Sequence, residues 1–128
     1  MEATDSLALA IVDDDDDVCA ALSRLLRAMG HRVEVFASAE AFEANTTTVD
    51  CVIVDVRLPG LSGLELRERL RGRAKAPPVV LITGDGDRLA RDVGCELDTP
   101  LLTKPFDAAL LVSAITSALA IGGGHRAD

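Results

Sequence analysis

Apolar residues recur along the chain in short blocks that switch between two rhythms. Leu7 to Val12 is a continuous apolar run closed by acids, and Val18, Leu22, Leu25, Leu26 and Met29 follow at helical spacing. The pattern predicts a strand and then a helix ending near Gly30, a residue suited to a helix C-terminus. His31 to Phe36 alternates His31, Val33 and Val35 against Arg32, Glu34 and Phe36, after which Ser38 opens a short helix reaching Ala44. Cys51 to Val54 is wholly apolar, stops at Asp55 and runs into Leu58, Pro59 and Gly60, a turn signal. A third helix is expected over Leu64–Arg71. Pro77 and Pro78 lead into a strand over Val79–Ile82, broken by Thr83-Gly84-Asp85-Gly86, and a short or irregular helix fits Arg88–Val93. Leu101–Thr103 makes a last strand before Lys104-Pro105, and Asp107 caps a final helix to about Ala120.

Five strands alternating with five helices predict an α/β fold. Right-handed crossovers would cover both faces of a parallel sheet, and strands that are apolar throughout suit burial on both sides. Residues 1–121 read as one domain, and 122–128, rich in glycine, as a disordered tail. The final helix carries no charged residue from Ala108 to Ile121, although one stripe, Leu111, Ala114, Ile115, Ala118 and Leu119, suffices to face a sheet. Its other side, with Leu110, Val112 and Ile121 among Ala, Ser and Thr, reads first as plain helix formers and second as a homodimer surface.

Composition narrows the partners. A chain of 128 residues with 48% hydrophobic and 27% charged positions can bury a core without disulfides. The net charge of -8 argues against direct contact with nucleic acid or anionic lipid, both of which would be repelled. Phe36, Phe42 and Phe106 are the only aromatic residues, so platforms for stacking bases or sugars are few. Cys19, Cys51 and Cys95 lack metal-ligand spacing and read as small core residues of a reducing compartment. No apolar run approaches the ~18 residues of a membrane span, and the first residues are acidic where a signal peptide is basic. A cytoplasmic protein without membrane contact is the expectation.

In an open α/β sheet, ligands gather outside the carboxyl ends of the strands. Asp13 and Asp14 stand at the end of the first strand, Asp55 at the third, Thr83 at the fourth and Lys104 at the fifth. Carboxylates crowded together repel one another unless a cation neutralises them, and an all-oxygen set suits Mg²⁺ or Mn²⁺ better than zinc. An aspartate at a strand end can act as a nucleophile toward phosphorus, with lysine and hydroxyl groups covering the phosphoryl oxygens.

Val12-Asp13-Asp14, Val54-Asp55-Val56-Arg57-Leu58-Pro59-Gly60, Ile82-Thr83-Gly84 and Lys104-Pro105-Phe106, in this order, closely resemble the receiver domains of two-component response regulators. The resemblance runs from about Leu7 to Ala120. Phe36 to Glu40 and Gly63 to Leu66 are most similar to receivers of helix-turn-helix transcriptional regulators, and since no such output segment is present here a stand-alone receiver is expected. The resemblance implies a flavodoxin-like sheet of order 2-1-3-4-5. It implies Asp55 as the phosphoacceptor, served by a histidine kinase or a histidine phosphotransfer protein. Asp14 becomes a direct ligand of Mg²⁺, with Mn²⁺ as a substitute, and Asp13 a ligand through water. The backbone carbonyl of Arg57 completes the set. Thr83 and Lys104 would pair with the phosphoryl group, and the Lys104-Pro105 bond would be cis. Leu101 replaces the aromatic that often reports phosphorylation in the family, and the stretch from Thr83 to Lys104 is about one residue short.

Each feature also has an ordinary explanation. Asp13 to Asp17 taken alone is a solvated helix start, and Asp15, Asp16 and Asp17 keep that explanation as capping residues. Asp55 and Thr83-Gly84-Asp85-Gly86 could be turn formers, and Lys104 a surface lysine. Their joint placement at successive strand ends favours a site. Arg57 and Asp85 carry opposite charges on neighbouring loops and could meet over the acceptor. A haloacid-dehalogenase-type phosphatase would need a second acid where Arg57 stands, and a nucleotide or flavin site after the first strand would be repelled by five acids. The remaining rival is a constitutive interaction module with the same fold and no phosphorylation switch.

Overall fold

Strand residues alternate faces with a period of two, and in the central strands both faces are apolar. A computed structural model describes residues 6–45, 48–73, 76–84, 99–104 and 106–126. Its strands are β1 (Ala8–Val12), β2 (Arg32–Phe36), β3 (Cys51–Asp55), β4 (Val79–Thr83) and β5 (Leu101–Thr103). They form one parallel sheet in the order β2-β1-β3-β4-β5, as expected. The helices among the described residues are α1 (Asp16–Ala28), α2 (Ala39–Ala44), α3 (Gly63–Arg71) and α4 (Ala108–Arg126). The helix expected over Arg88–Val93 lies outside the described residues, as do Asp85, Cys95 and Pro105 with its peptide bond.

The alternation divides the interior in two. Leu9, Ile11, Ile53, Val80, Ile82 and Leu102 turn to one face, where Leu22 and Leu26 of α1 and Leu111, Ala114, Ile115 and Ala118 of α4 cover them. Ala10, Val12, Val52, Val54 and Leu81 turn to the other, under Ala39 and Phe42 of α2 and Leu66 and Leu70 of α3. Each fully buried leucine or isoleucine contributes about 1.5–3 kcal/mol of transfer free energy. Two buried layers of this kind therefore hold the strand ends in fixed register, and the site is built on those ends.

Local chemistry sets where each helix starts. The Asp15 side chain accepts hydrogen bonds from the backbone of Asp17 and Val18 and so caps α1, with Asp16 and Asp17 in its first turn, as their place ahead of the helix predicts. Ser38 caps α2 by accepting from Ala41 N–H, and Ser62 and Glu65 form a reciprocal capping box on α3. Asp107 caps α4 through Leu110 N–H at 2.8 Å. The inner stripe of α4 matches expectation, while its outward side carries Leu110, 54% exposed. The backbone of α4 continues to Arg126, past the expected end near Ala120 and into the stretch read as a tail. Glycine is a poor helix former, costing about 1 kcal/mol relative to Ala, yet its backbone accepts helical dihedrals.

Cys51 is fully buried on β3, and burial pushes its thiol up to about 12. At pH 8 in native buffer, peptide mapping should find Cys51 unmodified by iodoacetamide after a time that gives complete labelling in urea. Comparable labelling in both conditions would mean that β3 opens readily.

Candidate functional site

The carboxyl edge of the sheet brings together residues that are far apart in the chain. β1 and β3 are neighbours in register, Val12 opposite Val54, so Asp13 and Asp55 emerge side by side. β5 delivers Lys104, whose backbone N–H donates to the Thr83 carbonyl at 2.8 Å. Its Nζ lies 2.8 Å from Asp55 Oδ2 and 3.3 Å from Asp13 Oδ2. Carboxylate oxygens of Asp13, Asp14 and Asp55 fall within 4.8 Å of one another. Asp13 is 1% exposed and Asp55 7%, whereas Asp14 is open to solvent.

The geometry has an electrostatic consequence. Burial pushes the Asp13 carboxyl up, and the charge of Asp55 adds to the push; a hydrogen bond from Asp15 N–H and the ammonium of Lys104 pull the other way without cancelling it. Burial also works against the charge of Lys104, but its bonds to Asp55 and Asp13 outweigh that and raise it above the usual lysine range. The ammonium is thus shared between two acids, and the third has no described bond to it. Hard oxygen donors packed this closely, one facing solvent, form a donor set that fits a small divalent cation retaining several waters. A cation there would also relieve the repulsion that burial leaves at Asp13.

The backbone after Asp55 is tightly placed. Arg57 N–H donates to Asp55 Oδ1 at 2.7 Å, so the two carboxylate oxygens have different partners, a backbone amide and an ammonium. Val56 N–H donates to Ile82 O at 2.8 Å, and Gly63 N–H to Val56 O at 3.1 Å, folding the start of α3 back over the end of β3. A Cβ on Gly63 would lie 2.2 Å from the Asp55 carbonyl oxygen, so only glycine lets α3 begin there. Sequence reading missed this role, since Gly63 entered it only as part of the Gly63 to Leu66 resemblance and nothing local points to the Asp55 carbonyl. The Cys19 thiol, at 3.2 Å from the Asp13 carbonyl, was also unforeseen.

Asp13, Asp14, Asp55 and Lys104 therefore meet, and the Arg57 backbone N–H, rather than the carbonyl expected as a ligand, is what reaches Asp55. Thr83 is fully buried at the end of β4, where its hydroxyl makes a long 3.4 Å bond to Gly84 O and no described bond to the carboxylates. Leu101 is half-buried and packs against the core on the α2 and α3 side.

Known proteins place this arrangement in context. Residues 9–116 match the family model of the response regulator receiver domain. The response regulator protein TodT of Pseudomonas putida is 36% identical over 121 residues, 92% of this chain and 53% of its own length. The transcriptional regulatory protein FixJ of Azorhizobium caulinodans is 37% identical over 118 residues, 90% of this chain and 56% of its own. The chain thus spans about half the length of these curated relatives. A crystal structure of FixJ-N aligns with TM-score 0.81 at 30% identity, covering 94% of this chain and 96% of that one. A response regulator structure from Chloroflexus aurantiacus gives 0.81 at 35% identity, covering 90% and 98%.

Two substitutions probe the crowding and the close approach. In metal-free buffer Asp13→Asn keeps the oxygen that Asp15 N–H needs and removes a charge that the fold disfavours. It should stabilise the fold and raise the thermal midpoint; a lower midpoint would mean that the bond to Lys104 outweighs the crowding. Gly63→Ala should cost about 2–3 kcal/mol in urea unfolding, as overpacking does against rigid backbone, and an unchanged midpoint would contradict the close approach.

Proposed function

The chain belongs to the response regulator receiver domain family, and on that premise we propose that it takes a phosphoryl group from a histidine kinase, or a histidine phosphotransfer protein, onto Asp55. The observation that carries this reading is the meeting of Lys104 with Asp55 and Asp13, beside Asp14, at one edge of the sheet. A carboxylate oxygen of Asp55 bonds to phosphorus while the phosphorus–nitrogen bond of a phosphohistidine breaks, the histidine ring keeping that electron pair. Asp13, Asp14, Asp55 and the Arg57 carbonyl would hold Mg²⁺, with Mn²⁺ as a substitute, which supplies charge neutralisation at the phosphoryl oxygens.

The protein's own groups do the positioning. Arg57 N–H orients the Asp55 carboxylate, and Lys104, already beside it, is in place to pair with a phosphoryl oxygen. The Thr83 hydroxyl gives up little in leaving its long bond to Gly84, so it can turn and donate to the same group. The chemistry is confined to the domain's own phosphorylation and dephosphorylation, with output through protein contacts or onward transfer in the cytoplasm. A net charge of -8 supports protein surfaces over nucleic acid as its partners.

Intact-protein mass after incubation with a small acyl phosphate and Mg²⁺ tests this. Wild type should gain one phosphoryl mass, Asp55→Asn none, and omission of the metal should abolish the gain. Absence of both the gain and Mg²⁺ binding in wild type would instead favour a constitutive interaction module.

A further inference from the structure

The loop leaving Asp55 is held from a direction that the site itself does not reveal. Leu58 is buried, but Pro59 and Gly60 are exposed, and the chain must reverse there before Ser62 caps α3. At this reversal Leu61 N–H donates to Oε2 of Glu40, 2.9 Å away on α2. Gly60 lies so close that a Cβ on it would come within 2.6 Å of the same oxygen, and its φ of +74° belongs to the left-handed region that favours glycine. The Leu61 N–H, and next the residue's own backbone amide, hold the Glu40 carboxyl below the usual glutamate range. The other acid of α2 works elsewhere: Glu43 pairs with Arg69 at 2.6 Å and Arg73 at 3.5 Å, on and just beyond α3. α2 thus makes two separable attachments, Glu43 to the helix and Glu40 to the loop.

We propose that Glu40 is a positioning residue for the site at Asp55, its bond to Leu61 N–H setting the path of the loop and, through it, the affinity for a divalent cation. The loop's inner end meets the site through Arg57, whose N–H binds Asp55 Oδ1, and its outer end through Gly63, whose N–H binds Val56 O. Between them, the Glu40 bond is a side-chain tie reaching the loop tip from a different element. Freed of it, the exposed Pro59–Gly60 turn can shift, and the Arg57 backbone inherits the movement. Groups that orient metal ligands from outside the first layer commonly change affinity by a factor of ten or more when removed. The inference rests on the reading of Asp55 as a metal-assisted phosphoacceptor.

Amide NMR titration with Mg²⁺ alone, on wild type, Glu40→Ala, Glu40→Gln and Glu43→Gln, tests the role. Glu40→Ala should weaken Mg²⁺ binding about tenfold and slow acyl-phosphate labelling at low Mg²⁺, with the rate recovering at saturating metal. Glu40→Gln keeps an oxygen acceptor for Leu61 N–H and should return affinity to within about twofold of wild type, which a purely charge-based role would not allow. Glu43→Gln, which loosens α3 without touching the loop, should bind as wild type does. Wild-type affinity in Glu40→Ala, or equal losses in Glu40→Gln or Glu43→Gln, would overturn the positioning role. A wild type that binds no Mg²⁺ would overturn the phosphoacceptor reading itself, a distinguishable failure.

Discussion

Every part of the molecule that bears on function answers to one constraint: acids that repel must be kept at contact distance. A solvated surface would let Asp13 and Asp55 separate, so the sheet fixes them by register, with Val12 opposite Val54 and both strands buried on each face. Lys104 offsets part of the repulsion, but one ammonium shared at 2.8 and 3.3 Å cannot neutralise a cluster of three carboxylates. The packing beneath the edge therefore holds the site in a form that welcomes further positive charge. The stability invested in the two cores appears at this edge as readiness to bind.

The fold could be read from the sequence because its signals are local. Apolar runs at Cys51–Val54 and Val79–Ile82 are too short and too uniformly apolar to be amphipathic helices, and Asp15, Ser38 and Asp107 each announce a helix start through their own side chains, whereas the Ser62 cap of α3 emerged only in the fold. The polar residues of the site were likewise visible, because each stands directly after a strand. Contacts that depend on how distant segments meet could not be seen. Glu40 has no local feature that points to Leu61, since the bond exists only once α2 and the loop after β3 are packed on the same face. Gly63 is similar: its need for no side chain comes from the Asp55 carbonyl, which only the folded chain brings beneath it.

The loop from Asp55 to Gly63 also explains how a site on strand ends can be both rigid and adjustable. Its first residues are tied to β4 and to the Asp55 carboxylate, while its turn carries exposed Pro59 and Gly60 between Leu58 and Leu61, which pack into the core, and donates from Leu61 N–H to one acid of α2. Thr83, in its long bond to Gly84, has similar latitude on the opposite flank. The acidic floor is fixed by burial, and the groups around it retain freedom to rearrange.

The sheet itself acts as a partition. Leu9 and Ile11 share a core with α1 and α4, Ala10 and Val12 with α2 and α3, and the described side chains of one core do not enter the other. Volume changes in separate cores should combine nearly additively, because they communicate through strand backbone and not through shared packing. Over generations the face bearing α1 and α4 can thus change its packing while the face that steadies the loop after Asp55 stays as it is, so the two halves of one small domain can diverge at different rates.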